Sequence, residues 1–157
     1  MTESRRDIYL STLGRVGEWC LRSERPSGGS AAYYAPLLGW SKSYPETTGY
    51  LIPTLLLMAK RFGDRRYKQS AERHGFWLLG IQSPDGWWSG GLHPNRQQSP
   101  SIFNTGQILK GLNALFAETG DNCWNESAGK AQAWLFSEML PTGLWSGGDY
   151  RASDTPS

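Results

Sequence analysis

Gln82-Ser83-Pro84-Asp85-Gly86-Trp87-Trp88-Ser89-Gly90-Gly91 and Met139-Leu140-Pro141-Thr142-Gly143-Leu144-Trp145-Ser146-Gly147-Gly148 are two copies of one motif, set 57 residues apart. The likeness extends far upstream of the tryptophans. Sliding residues 48–91 onto 105–148 without a gap pairs Thr48-Gly49 with Thr105-Gly106 and Gly63-Asp64 with Gly120-Asp121. It also pairs Ser70-Ala71 with Ser127-Ala128 and Trp77-Leu78 with Trp134-Leu135. A fixed period of this length marks a repeat architecture, in which each unit leaves an apolar face that only its neighbour can cover. A worn copy precedes the other two. Trp19, Glu24 and Gly28 keep the spacing of Trp77, Gln82 and Gly86, with Ser30 where Trp88 would stand.

Between these motifs the apolar residues recur at helical steps. A first helix is expected over 5–22, carrying Ile8, Leu13, Val16, Trp19 and Cys20. A second starts near Pro45, because proline is pre-organised for the first helical position, and ends at Gly63 as a left-handed terminal residue. Asp64 then caps a third helix over 65–80. The Gly-Asp pair recurs at Gly120-Asp121, between a fourth helix near 103–118 and a fifth over about 122–138. Such short links make antiparallel αα-hairpins. From Leu51 to Ala59 the second helix is apolar on nearly all sides, which implies burial all round. The third mixes Tyr67, Ala71 and Leu78 with Arg65, Arg66 and Lys68, so one side must be wet. The expected fold is all-α: hairpins in two layers, with helices two and four inside and one, three and five outside. It occupies residues 1–150 as one domain, followed by a short polar tail over 151–157. The segment 30–44 shows neither helical nor strand periodicity and reads as an ordered loop.

Composition narrows the function classes. A net charge of +2, evenly spread, gives no basic footprint for nucleic acid. No stretch is apolar for long enough to span a bilayer, and no signal-peptide pattern opens the chain, so a cytoplasmic location is expected. Cys20 and Cys123 stand alone and read as reduced thiols.

The run Trp77-Leu78-x-x-x-Gln82-x-x-x-Gly86-x-Trp88 resembles the QW repeat of squalene-hopene and oxidosqualene cyclases. Related patterns occur through the α/α-toroid superfamily, which includes protein prenyltransferase β subunits, and the six-hairpin glycosidases are similar. The copy at Trp134 keeps the pattern except for Met139 in place of Gln. More narrowly, Gly39-Trp40-x-x-Ser43-Tyr44-Pro45-Glu46-Thr47-Thr48-Gly49-Tyr50 with Phe103-Asn104-Thr105-Gly106-Gln107 is similar to uncharacterised bacterial toroid proteins often associated with surface-polysaccharide gene clusters. The resemblance implies a toroid of hairpins in which the QW-like turns are structural: the glutamine bonds a neighbouring backbone, the glycine turns the chain, and the tryptophan packs across. Asp85 reads as a turn residue before Gly86.

The departures from those families matter as much. The chain has no Asp-x-Asp-Asp proton donor and no Asp-Asp-x-x-Asp for magnesium diphosphate. No Asp, Cys and His set is placed for zinc: His74 reads as a partly exposed structural residue on an outer helix, and His93 lies in a loop without a cysteine nearby. No metal or other cofactor is called for. A closed ring of this kind takes roughly six hairpins, and this chain holds about two and a half. Exposed end faces favour association, so a homodimer is expected through the outer surfaces of the first or fifth helix.

In toroids and six-hairpin glycosidases, substrate meets the loops that lead into the inner helices. Here those are residues 40–50 and 101–107. Glu46 is the candidate catalytic carboxylate, in the first turn of a helix whose dipole favours its anion. Trp40, Tyr44 and Tyr50 flank it as stacking faces, and Asn104 and Gln107 supply amides one turn apart on the matching helix. That set suits a carbohydrate better than a diphosphate. Glycoside hydrolysis usually needs a second carboxylate, for which Asp149 and Asp85 are the candidates. Three functions remain open: a partial or degenerate glycan-processing enzyme of hydrolase or lyase type, a non-catalytic interaction module, and an isoprenoid-binding relative of the cyclases.

Overall fold

The computed structural model describes residues 3–95 and 98–145. Five helices run in the order α1 (Glu3–Arg22), α2 (Pro45–Phe62), α3 (Arg65–Gly80), α4 (Ile102–Thr119) and α5 (Asn122–Ser137), with a two-stranded hairpin, β1 (Tyr34–Ala35) and β2 (Gly39–Trp40), between α1 and α2. The fold is all-α, with helix ends within two residues of those expected. The hairpin is the departure. Segment 30–44 is ordered, but Tyr34 pairs with Trp40 and Ala35 with Gly39 in an antiparallel ladder too short to leave a period-two signature.

The repeat in the sequence is a repeat in space. Gly63 and Gly120 both sit at left-handed φ, +66° and +70°, and close their helices by donating N–H to Ala59 O and Phe116 O. Asp64 and Asp121 then cap the following helices, accepting from the N–H of Arg66 and of Cys123. Each glycine thus ends an inner helix where a Cβ would be strained, and each aspartate satisfies a donor left over at the next helix start. α2 lies along α4; α3 packs on α2, α5 on α4, and α1 reaches α2 and α3.

The core lies at the α2–α4 seam. Ile52, Leu55, Ile108, Leu112 and Leu115 are fully buried there, with Tyr67, Leu78, Trp88 and Trp124 closing it from the outer layer. Two glycines set the separation of the inner helices: a Cβ on Gly49 would stand 2.6 Å from the Ile108 Cα, and one on Gly111 would collide with the Gly49 carbonyl oxygen. The expectation that α2 is buried on all sides is corrected. Leu57 is 68% exposed and Tyr50 45%, because no neighbour among the described residues covers that face.

The turns between hairpins repeat bond by bond. The Gln82 side chain donates to Gly86 O within its own turn and to Ser127 O on α5, and accepts from the Ser127 hydroxyl at 2.7 Å. In the worn copy, Glu24 takes the same role: it accepts from the Ser70 hydroxyl at 2.7 Å, and Ser70 is one period before Ser127. The backbone N–H of Ser30 donates to Thr48 Oγ1, as that of Trp88 does to Thr105 Oγ1. Trp88 Nε1 donates to Leu78 O and Trp145 Nε1 to Leu135 O, again one period apart. The structural reading of these turns is therefore the observed one. Their burial differs: Trp88 is fully buried, whereas Trp145 is 45% exposed.

Glu24 also receives Arg73 at 2.5 Å. Burial opposes its ionisation, but the bonds from Arg73 and Ser70 outweigh that and hold its carboxyl below the usual range. His74, next to this pair, is fully buried and not partly exposed as the sequence suggested. α1 and its turn cover the side of α3 that periodicity leaves wet. His74 Nδ1 donates to Ser70 O at 2.7 Å, which leaves Nε2 an unpartnered acceptor among the described residues. Burial depresses its pKa. A histidine held neutral adds stability above its unfolded pKa of about 6.5 that is lost as pH falls toward the depressed folded value. Urea midpoints between pH 7 and pH 5 should therefore fall for the native chain, and fall less for His74→Gln.

Cys20 and Cys123 are free thiols. No helix among the described residues is long and apolar enough to cross a membrane.

Candidate functional site

α2 and α4 begin at the same end of the molecule, and the loops that lead into them are tied together. Ser43 bridges both Ala31 and His93, and the His93 N–H donates to Ser43 O at 2.7 Å. The Ser43 hydroxyl donates to Gly28 O, so the turn after α1 is held to the same strut. His93 stands edge-on to Trp77 at 5.4 Å, where burial lowers its pKa.

Glu46 lies in the first turn of α2, behind Tyr44 and Pro45. Tyr44 at the cap position makes no side-chain cap. Partial burial raises the Glu46 carboxyl above its usual range, and a hydrogen bond from the Tyr44 side chain offsets part of that rise. An upward shift from burial is the direction that general acid or base work asks of a carboxyl. Tyr50, one turn along, is 45% exposed. One period later the corresponding positions carry Phe103, 53% exposed, and Gln107, half-buried and accepting from Lys110 Nζ at 2.9 Å.

Two expected members are placed elsewhere. Trp40 does not flank Glu46 as a free stacking face; it packs on Trp19 at 4.6 Å and on Tyr34 at 5.1 Å, with the Arg22 guanidinium over Trp19. Asn104 is buried, and its Nδ2 donates to Ser89 O at 3.2 Å, tying the loop before α4 to that helix. Its Oδ1 has no partner among the described residues. Both residues hold the mouth together and present little to a ligand. Phe103 is what sequence reasoning missed. The repeat could have found it, since Phe103 occupies the place of Glu46.

Of the two proposed partners of Glu46, only Asp85 lies among the described residues. Asp85 is exposed in the turn whose Gly86 lies against the Lys130 carbonyl of α5, and no charged side chain acts on the Glu46 titration. Asp149 and the tail lie outside the described residues. Among those residues, no three His, Cys, Asp or Glu side chains converge to hold a metal ion.

Comparison with known protein families, with curated proteins and with solved structures finds no match for this chain.

Proposed function

We propose that the chain is a partial α/α toroid whose inner-helix mouth binds carbohydrate, with Glu46 as its single acid–base group. The observation that carries this is the Glu46–Tyr44 pair: a desolvated carboxylate held by a phenol, beside the exposed rings of Tyr50 and Phe103. Aromatic faces next to a carboxyl and an amide suit a sugar ring. Among the described residues no charged side chain acts on Glu46, which favours proton transfer of the lyase kind over two-carboxylate hydrolysis. In this reading Tyr44 positions Glu46, Tyr50 and Phe103 are stacking faces, and Gln107 is the polar contact.

A glycan array followed by product analysis on the glycans bound tests it, with Glu46→Gln as the variant. Turnover is expected to disappear while binding stays within a few-fold. Retained turnover removes Glu46 from the chemistry, and an array without any binding overturns the whole proposal. Misfolding is separable from lost chemistry. Because the folded pKa of Glu46 is raised, its ionisation costs stability at neutral pH, and this cost vanishes below the unfolded value of about 4.3. Glu46→Gln should thus melt no lower than the native chain at pH 7.

A second reading, association through the chain's end faces, is favoured by the exposed Leu144 and half-exposed Trp145 and by Ile8, Tyr9 and Val16 on α1. A light-scattering mass of two chains supports it, and a monomer at high concentration opposes it.

A further inference from the structure

Leu37 and Leu38 are 98% and 89% exposed at the tip of the β1–β2 hairpin. Two adjacent leucines held in water are a cost that a soluble surface rarely keeps without use. The hairpin that carries them is braced. Ser41 Oγ accepts from the N–H of both Ala32 and Tyr33, Ser41 N–H donates to Tyr33 O, and Tyr34 and Trp40 pack on each other and on Trp19 of α1. The tip is a presented feature, anchored to a helix.

Its chemistry is layered along the hairpin. Pro36, Leu37 and Leu38 form the end. Behind them stands an aromatic band: Tyr33 at 59% exposure, Tyr34 at 44%, Trp19 at 45%, and Trp40 half-buried. Behind that are cations, with Lys42 across the hairpin base from Ala32 and Arg22 over the Trp19 ring. From Arg25 to Pro45 the chain contains no carboxylate at all. The two acidic residues on the flanking stretch of α1 and its turn are committed elsewhere, Glu18 to Arg66 and Glu24 to Arg73.

We propose that this hairpin is a peripheral docking prong for an anionic lipid surface. Leucines enter the acyl region, tyrosine and tryptophan rings sit at the headgroup level that such rings favour, and Arg22 and Lys42 meet the lipid charge. A pocket on a partner protein would require the leucines alone. The ordered succession of apolar tip, aromatic band and cations, with acid excluded, is the complement of a bilayer interface. The prong attaches the protein to the surface and does not cross it.

Sedimentation with phosphatidylcholine vesicles, with and without phosphatidylserine, tests the proposal on the full chain. Binding to the serine-containing vesicles is expected, weakened by salt because the basic contacts are screened. Leu37→Glu with Leu38→Glu should reduce it at least about tenfold, since both apolar side chains lose their transfer to the acyl region. Both positions are exposed, so the variant should keep the native helical circular dichroism and melting point. A Leu37→Trp variant should show a blue-shifted emission on these vesicles. Absence of vesicle binding by the native chain overturns the proposal, as does binding that the double glutamate leaves unchanged. So does a dimer in light scattering that the double glutamate dissociates while vesicles stay unbound, because the tip then meets a second copy.

Discussion

Gly111→Ala should destabilise the chain by about 3 kcal/mol, near the upper end of overpacking in a well-filled core. The added methyl would collide with the Gly49 carbonyl oxygen, and the Ile52 Cδ1 lies 3.0 Å from the same point. A side chain could swing away, but a helix backbone cannot without parting α2 from α4. Alanine's better helix propensity returns only about 1 kcal/mol. Thermal melting by circular dichroism should show a loss of roughly 6–12 °C for a domain of this size. Gly106→Ala and Gly129→Ala provide the opposite sign. Both positions are helical and open, with no atom within 4 Å of the added carbon, so each should gain about 0.5–1 kcal/mol. If Gly111→Ala melts with the native chain, the close crossing of the inner helices is wrong.

The second large effect separates two tryptophans that the sequence presents as equals. Trp88→Ala should cost about 3–5 kcal/mol, since a fully buried indole leaves a cavity and the Leu78 carbonyl keeps only the Ile81 N–H of its two donors. Trp145→Ala removes the same ring and the matching bond to Leu135 O, yet should cost only about 1 kcal/mol because the ring is half in water. Urea titrations of the two variants side by side make the comparison. Trp88→Phe should recover part of the loss, since it restores most of the ring volume but not the bond to Leu78 O. Equal costs at the two positions would mean that Trp145 is covered in solution, and would strengthen association through that end face.

Much of the fold was legible because periodic physics wrote it. The 57-residue offset, the Gly-Asp links and the proline before α2 located every helix and both hairpins. Even the worn copy could be read, and its Glu24–Ser70 bond repeats Gln82–Ser127. The errors share one cause. His74 looked half-wet because the pattern of α3 shows a polar side, and only packing puts α1 over it. α2 looked sheathed because its residues are apolar, and only packing leaves Tyr50 and Leu57 uncovered. A local pattern reports what a face would tolerate; which neighbour arrives is a long-range matter.

The site divides in the same way. Tyr44, Glu46 and Tyr50 at the start of α2, and Gln107 near the start of α4, sit where helix register and repeat phase put them, because both depend on nearby residues. The contacts of Trp40 and Asn104 were not legible, because their partners, Trp19 and Ser89, are 21 and 15 residues away along the chain. Residue order alone therefore determined the all-α class, the repeat and the turn chemistry, each of which follows from contacts a few residues apart. Tertiary structure decided which glycines touch backbone, which of two equivalent tryptophans is buried, and which aromatic rings remain free to meet a ligand. Those outcomes depend on close packing between segments that no local period connects.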